Sequence, residues 1–272
     1  MNAKIWIDLI KLVLGFALLW AMFAYLPVLL PNSWKFDFIE APDSLTISVE
    51  QEEQLGDFIM ENLMSEMAIV EDPSIDSAMA AIESRLLSNL GSTDYKYQIL
   101  VVDVPQVNAL TLPGGNILVF SGLLSFCESP EEVAAVLAHE IGHVEQRHVA
   151  YKLMAEISLT AITALLTGGD VTMLHEVGRM LISSVFSRNQ EADADHFGME
   201  LLVKAQIDPQ SMAAFFERLN EEKKDYSQYF EWIMSHPNNN NRIKASMEYE
   251  VPSDFQPEPF NLNWQSVQQA AQ

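Results

Sequence analysis

The chain has 272 residues, a formal net charge of −23 and 49% hydrophobic residues. That length suits one large domain with appendages, and so acidic a balance excludes a nucleic-acid-binding protein and a polybasic membrane-surface module. The lone cysteine, Cys127, excludes an internal disulfide and has no Cys/His arrangement around it, so it reads as a packed residue.

The hydrophobic excess is local. Leu12 to Leu30 contains no charged residue, and as a helix it would span about 28 Å, close to the hydrocarbon thickness of a bilayer. Trp6, Tyr25 and Trp34 stand where interfacial anchors belong; Lys4 and Lys11 precede the run, and Asp37, Glu40 and Asp43 follow it. The positive-inside rule then keeps the N-terminus in the cytoplasm and puts the rest of the chain on the far side. A cleaved signal peptide is the alternative, but the run is longer than a usual signal core and no small-x-small site follows it cleanly. The expected division is an anchor over 1–31, a linker over 32–47, a main domain over 48–250 and a tail over 251–272 packed on that domain.

Two helices are expected next. One covers about Glu50 to Met64, with Leu55, Phe58, Ile59 and Leu63 on one face; Asp72-Pro73 opens the second, whose stripe is Ile75, Met79, Ile82, Leu86 and Leu87. Between Tyr95 and Phe120 the period changes to that of short strands, Tyr97–Val102, Val107–Leu112 and Asn116–Phe120, punctuated by Pro105 and Pro113-Gly114-Gly115. The pattern predicts an antiparallel meander. Its role is either a plain core sheet or an edge that holds an extended peptide by main-chain pairing.

Ser129 to His148 carries His139-Glu140-Ile141-Gly142-His143. Ser129 is a natural N-cap, Pro130 suits the first helical position, and Glu132 sits where a capping-box acid would reach back. On such a helix residues four apart lie about 40° apart around the axis, so both imidazoles can meet one metal ion. Glu140 then stands beside the metal rather than on it, the arrangement in which zinc activates a water and a glutamate takes its proton. A chance match on an amphipathic helix is the competing account. The capping signals, which place the motif on a helix as the chemistry requires, weigh against it.

Ile157 to Gly169 is too short an apolar stretch to cross a bilayer unaided; it is a buried helix ending at Gly168-Gly169, or a lid. His175, in a helix from Asp170 through Phe186, has no motif around it and reads as a surface or packing histidine. Catalytic zinc usually has three protein ligands, so a third is needed. Glu191 and Asp195 share a helical face, and like charges at that spacing are unfavourable unless a cation lies near. Glu191 is assigned to the metal, and Asp195 to the free ring nitrogen of a ligating histidine; an acidic surface helix is the alternative. Asp193 faces the other way. His148 lies about 140° around the helix from His143 and is expected to point elsewhere. Asp208-Pro209 caps a helix through Asn220, His236-Pro237 sits in a polar loop and by itself reads as a turn, and a weak last helix is expected over Trp264 to Ala270.

Together these residues resemble the HtpX and BepA group of zinc metallopeptidases, which includes the CAAX prenyl proteases. The matching stretches are Asn108 to Gly115, Ala138 to His143, Ser187-Arg188 through Glu191 and Asp195, and Ser235-His236-Pro237 through Arg242. The resemblance spans about residues 50 to 250. It implies one Zn2+ per chain held by His139, His143 and Glu191, with Glu140 as catalytic base and Asp195 as an orienting residue. It also implies a substrate strand that includes Asn108, Gly114 and Gly115. His236 and Arg242 are implied to stand near the site, binding the oxyanion or substrate carbonyl, or with His236 capping the zinc at rest. The expected fold class is α+β: a mainly helical zincin-type domain with a small antiparallel sheet, plus the one N-terminal transmembrane helix read from the apolar run, fewer than the integral-membrane members have. The expected protein is an endopeptidase of protein or peptide substrates, single-pass in a bacterial-type inner membrane with a periplasmic catalytic domain. The alternative is a membrane-tethered chaperone or assembly factor that uses the zinc domain mainly for client binding. Nothing in the chain specifies an oligomeric state.

Overall fold

A computed structural model of the chain describes residues 47–157, 185–221 and 240–272, together with Ile162, Val177, Met180, Leu181 and His236. The expected anchor over 1–31, nearly all of the expected linker and the His175 segment lie outside the described residues. Among those described, no helix is long and apolar enough to cross a membrane.

The first helix, α1 (Val49–Met64), starts where Ser48 and Gln51 close a capping box, and α2 (Pro73–Ser88) starts at Asp72, whose carboxylate accepts from the amides of Ser74 and Ile75. These are the orphan donors that a helix start leaves over. Residue 47, the last of the expected linker, is already buried. Three strands follow, β1 (Gln98–Val102), β2 (Ala109–Thr111) and β3 (Asn116–Phe120), with a 3-10 turn over Pro113–Gly115.

The sheet is mixed, not an antiparallel meander. Its order is β1-β3-β2, with β1 parallel to β3 and β2 antiparallel to it. β3, buried at all five positions, holds the central place, where both backbone edges are paired, and the three-residue β2, equally buried, pairs with one of those edges. The connection over residues 103–115 has the dozen or so residues that a parallel crossover needs, and β2 is part of it. Along β3, Ile117 and Val119 face one core, while Leu118 and Phe120 face the other, the strict alternation of a pleated strand. One core lies among α2, the sheet and the later helices; the second lies under α1 on the opposite face of the sheet.

The other described elements are helices: α3 (Ser121–Phe126), α4 (Pro130–Glu145), α5 (His148–Glu156), α6 (Arg188–Lys204), α7 (Gln210–Glu221), α8 (Asn240–Met247) and α9 (Trp264–Ala270). The C-terminal segment is pinned to this body. Trp264 donates its indole N–H to the Cys127 carbonyl at 2.8 Å, and the Arg85 guanidinium stacks 3.8 Å above the Phe260 ring. Cys127 is fully buried, as a packing role requires, and burial pushes its thiol well above the usual range.

Candidate metal centre

Helix α4 is the spine of the site. The Ser129 hydroxyl accepts from the Glu132 amide at 3.3 Å and Pro130 occupies the first turn. Glu132 does not close a capping box. Its carboxylate accepts from the Glu128 amide at 3.0 Å and from the Arg218 guanidinium at 2.6 and 2.8 Å, which ties α4 to α7. Every residue from Val133 to Val144 is buried; fully burying a Val, Leu or Ile contributes about 1.5–3 kcal/mol, so the motif sits on a rigid element.

Helix α6 lies along α4 at the motif itself. A Cβ at Gly142 would stand 2.9 Å from the Ala194 carbonyl oxygen, and one at Gly198 would stand 3.1 Å from the His139 amide nitrogen. Glycine at both places lets the two backbones approach closely enough for side chains to share one centre. Ser187 and Gln190 form a capping box that starts α6, and Glu191 and Asp195, one turn apart, both face α4.

His139, His143, Glu191 and His236 converge there, each buried, with one ligand atom apiece within 4.8 Å of the others. His139 Nε2 lies 3.1 Å from His143 Nε2 and 3.3 Å from His236 Nδ1. Glu191 Oε1 lies 3.0 Å from His236 Nδ1 and 3.4 Å from His143 Nε2. Four donors about 2.0–2.1 Å from a tetrahedral zinc would stand about 3.3 Å apart, so this donor set fits such an ion in chemistry and in spacing. Burial holds His143 well below the usual imidazole range, in the neutral form a ligand needs. Burial works to raise the Glu191 carboxyl, but the charge of His236 and its hydrogen bond outweigh it and hold the carboxyl well below its usual range.

Around the cluster, the positions differ in part from expectation. Asp195 Oδ1 stands 2.9 Å from His139 Nδ1. Arg242 is buried and forks onto Asp195 at 2.6 and 2.7 Å, with Glu191 Oε2 2.5 Å from its third nitrogen. Its guanidinium therefore braces the two carboxylates. Gly114 (φ 74) and Gly115 (φ 85) form the turn before β3 and pack against the backbones of Glu53 and Lys96. They are away from the cleft, whose lining includes Asn108, Thr111, Glu140, Leu181, Phe186 and His236. The sheet's own outer edge there is β2.

His148 does not point elsewhere. α4 ends at Glu145, Arg147 takes a left-handed conformation (φ 56, ψ 27), and α5 starts afresh at His148. The turn brings His148 Nδ1 to 2.8 Å from His143 Nδ1. Burial lowers His148 to about 4. Gln146 and Arg147 carry no Gly, Asn or Pro signal for a helix stop, so extrapolating the helix through them put His148 on the wrong side. Thr111 is the second residue that sequence reasoning passed over: its hydroxyl donates to Glu140 Oε2 at 2.5 Å. Only the pairing of β2 beside α4 makes that contact visible.

The model of the family described as "Peptidase family M48" matches residues 73–250, more than half of the chain. The chain belongs to peptidase family M48. The match contains every member of the four-residue cluster, and the group is one that can hold a metal ion. Among curated relatives, the beta-barrel assembly-enhancing protease of Yersinia pestis is 28% identical over 211 residues, covering 73% of this chain and 43% of that protein. The mitochondrial metalloendopeptidase OMA1 of Schizosaccharomyces pombe is 27% identical over 210 residues, covering 75% and 62%. OMA1 of Arabidopsis thaliana is 33% identical over 156 residues, covering 57% and 32%. The M48 chain described here thus spans less than half the length of the first of these.

Proposed function

We propose that this M48 chain is a zinc endopeptidase of protein substrates, carrying one Zn2+ on His139, His143 and Glu191. The observation that carries this reading is the convergence of those donors with His236, each buried, beside a fully buried Glu140. A binding protein has no use for such a base. The printed names of the relatives, proteases and metalloendopeptidases, support the same reading.

A zinc ion held by these residues would lower the pKa of a coordinated water to about 7 and polarise the scissile carbonyl. Glu140 takes the proton of the attacking water on one carboxylate oxygen and delivers it to the leaving amine. The Thr111 hydroxyl holds the other oxygen, Oε2, so the carboxylate keeps one aim through both transfers. The substrate lies extended along the outer edge of β2 from Asn108 to Thr111, paired by main-chain hydrogen bonds, which puts one of its carbonyls next to the cluster. His236 stands at the fourth donor position and 3.6 Å from Glu140 Oε1. In our reading it would serve as a further donor to the ion at rest and would give way to water and substrate, remaining close enough to donate to the developing oxyanion.

The charge asymmetry around residues 12–30 supports a single-pass anchor with this domain on the extracytoplasmic side, the periplasm of a bacterial-type cell. A tethered endopeptidase placed there suits protein quality control. Glu140→Gln tests the chemistry: it is expected to keep a full equivalent of zinc and to lower casein cleavage by at least about 100-fold. Cleavage at the unmodified rate would overturn the proposal.

A further inference from the structure

We propose that His148 is the positioning residue of His143, and that a left-handed break at Arg147, clamped by Glu52, puts it there. The inference rests on the reading of His143 as a metal ligand and adds what fixes that ligand's ring.

His143 has two ring nitrogens with two different surroundings. Nε2 faces the cluster, 3.1 Å from His139 Nε2 and 3.4 Å from Glu191 Oε1. Nδ1 faces away from it, 2.8 Å from His148 Nδ1. Two ring nitrogens at that distance need one proton between them. A ligand must keep the Nε2 lone pair for the ion, so the proton sits on His143 Nδ1 and His148 Nδ1 accepts it. His148 then carries its own hydrogen on Nε2. A metal-bound imidazole is normally oriented through its outer N–H by a carboxylate or a carbonyl; here a second imidazole takes that place. The Phe186 ring closes the arrangement by stacking on His143 with centroids 4.0 Å apart.

The placement of His148 is not a free outcome of helix geometry. Five residues along an unbroken helix correspond to about 140° of rotation, which would separate the two rings. The break at Arg147 is what returns His148 to His143, and a non-glycine residue in that conformation is disfavoured by about 1–2 kcal/mol. The Arg147 side chain offsets this with specific partners. Its Nε donates to Glu52 Oε1 at 2.8 Å, a second nitrogen also pairs with Glu52, and the same nitrogen donates to the Ile47 carbonyl at 2.5 Å. Glu52 is buried on α1 and accepts from the Tyr95 hydroxyl at 3.0 Å. The first helix of the domain is thereby connected, through one ion pair and one backbone turn, to the ring of His143.

Two measurements on the full chain test this. In the metal-free protein, long-range 1H–15N correlation of the imidazoles is expected to show His143 protonated on Nδ1 and His148 on Nε2; a proton on His148 Nδ1 would overturn the proposal whether or not any metal binds. Titration with Zn2+ against a competing chelator is the second. His148→Leu is expected to weaken zinc about 10- to 100-fold, while His148→Asn, whose Oδ1 can accept in the place of Nδ1, stays within about threefold of the unmodified chain. Unmodified affinity in His148→Leu, or equal losses in both variants, would sink the idea. If the unmodified chain takes up no Zn2+, the ligand reading fails instead, and the tautomers alone decide the His143–His148 bond; they also decide it if His148→Leu does not fold.

Discussion

His139 and His143 are the same residue type on the same helix, one turn apart, and their surroundings hold them in opposite ways. The outer nitrogen of His139 faces a carboxylate, Asp195, which is itself forked by Arg242. That side of the centre is a chain of charges joining α4, α6 and α8. The outer nitrogen of His143 faces a neutral imidazole five residues on, and its support is a backbone turn at Arg147. The difference teaches that the two halves of an H-E-x-x-H motif need not share a mode of support. One half is held by buried charges, so disturbing it disturbs folding. The other is held by a neutral pair of rings, so disturbing it is felt first at the ring of His143.

The largest effect is expected where the comparison is broken outright. Asp195→Ala leaves Arg242 buried opposite a single carboxylate. Breaking such a buried pair costs about 3–5 kcal/mol, and the lost orientation of His139 weakens zinc by a further factor of about 10–100. Urea unfolding of the metal-free variant checks the first part; a loss below about 1 kcal/mol would mean that the charged half is no more tied to folding than the neutral one.

Thr111→Val comes next. It leaves both histidines in place and loosens only Glu140, so kcat is expected to fall by about fivefold, the equivalent of one hydrogen bond, with KM and zinc affinity unchanged. A change confined to KM would move Thr111 from the base to substrate binding. The smallest effect is Ser129→Ala, which removes the cap of α4 about three turns before His139. Thermal unfolding should report a loss of about 1 kcal/mol, with zinc affinity and kcat as in the unmodified chain. A loss of zinc there would show that both histidines depend on the start of α4.

Much of this fold was legible because local physics decides it. Asp72 and Ser129, both read as helix starts, each precede a helix that begins at the next residue, since an oxygen at the N-cap satisfies amides that no other local group can reach. The three strand segments were equally readable from their apolar runs. Their pairing was not: placing β3 between β1 and β2 depends on which segment can be buried on both faces and both edges, a property of the assembled core.

The centre divides along the same line. By itself the sequence determined that the two histidines share one face with Glu140 beside them, because helical periodicity alone puts positions 139 and 143 on one face. It also pointed to Glu191 and Asp195, whose shared face makes sense only near a cation. The tertiary structure decided what stands behind them: Arg242 against Asp195, Thr111 against Glu140, His148 against His143. Each of these contacts depends on a chain reversal or a packing distance, and the last on one left-handed residue, Arg147, with no composition signal to mark it. Periodicity tells where a side chain points while a helix lasts; only packing tells where the helix stops.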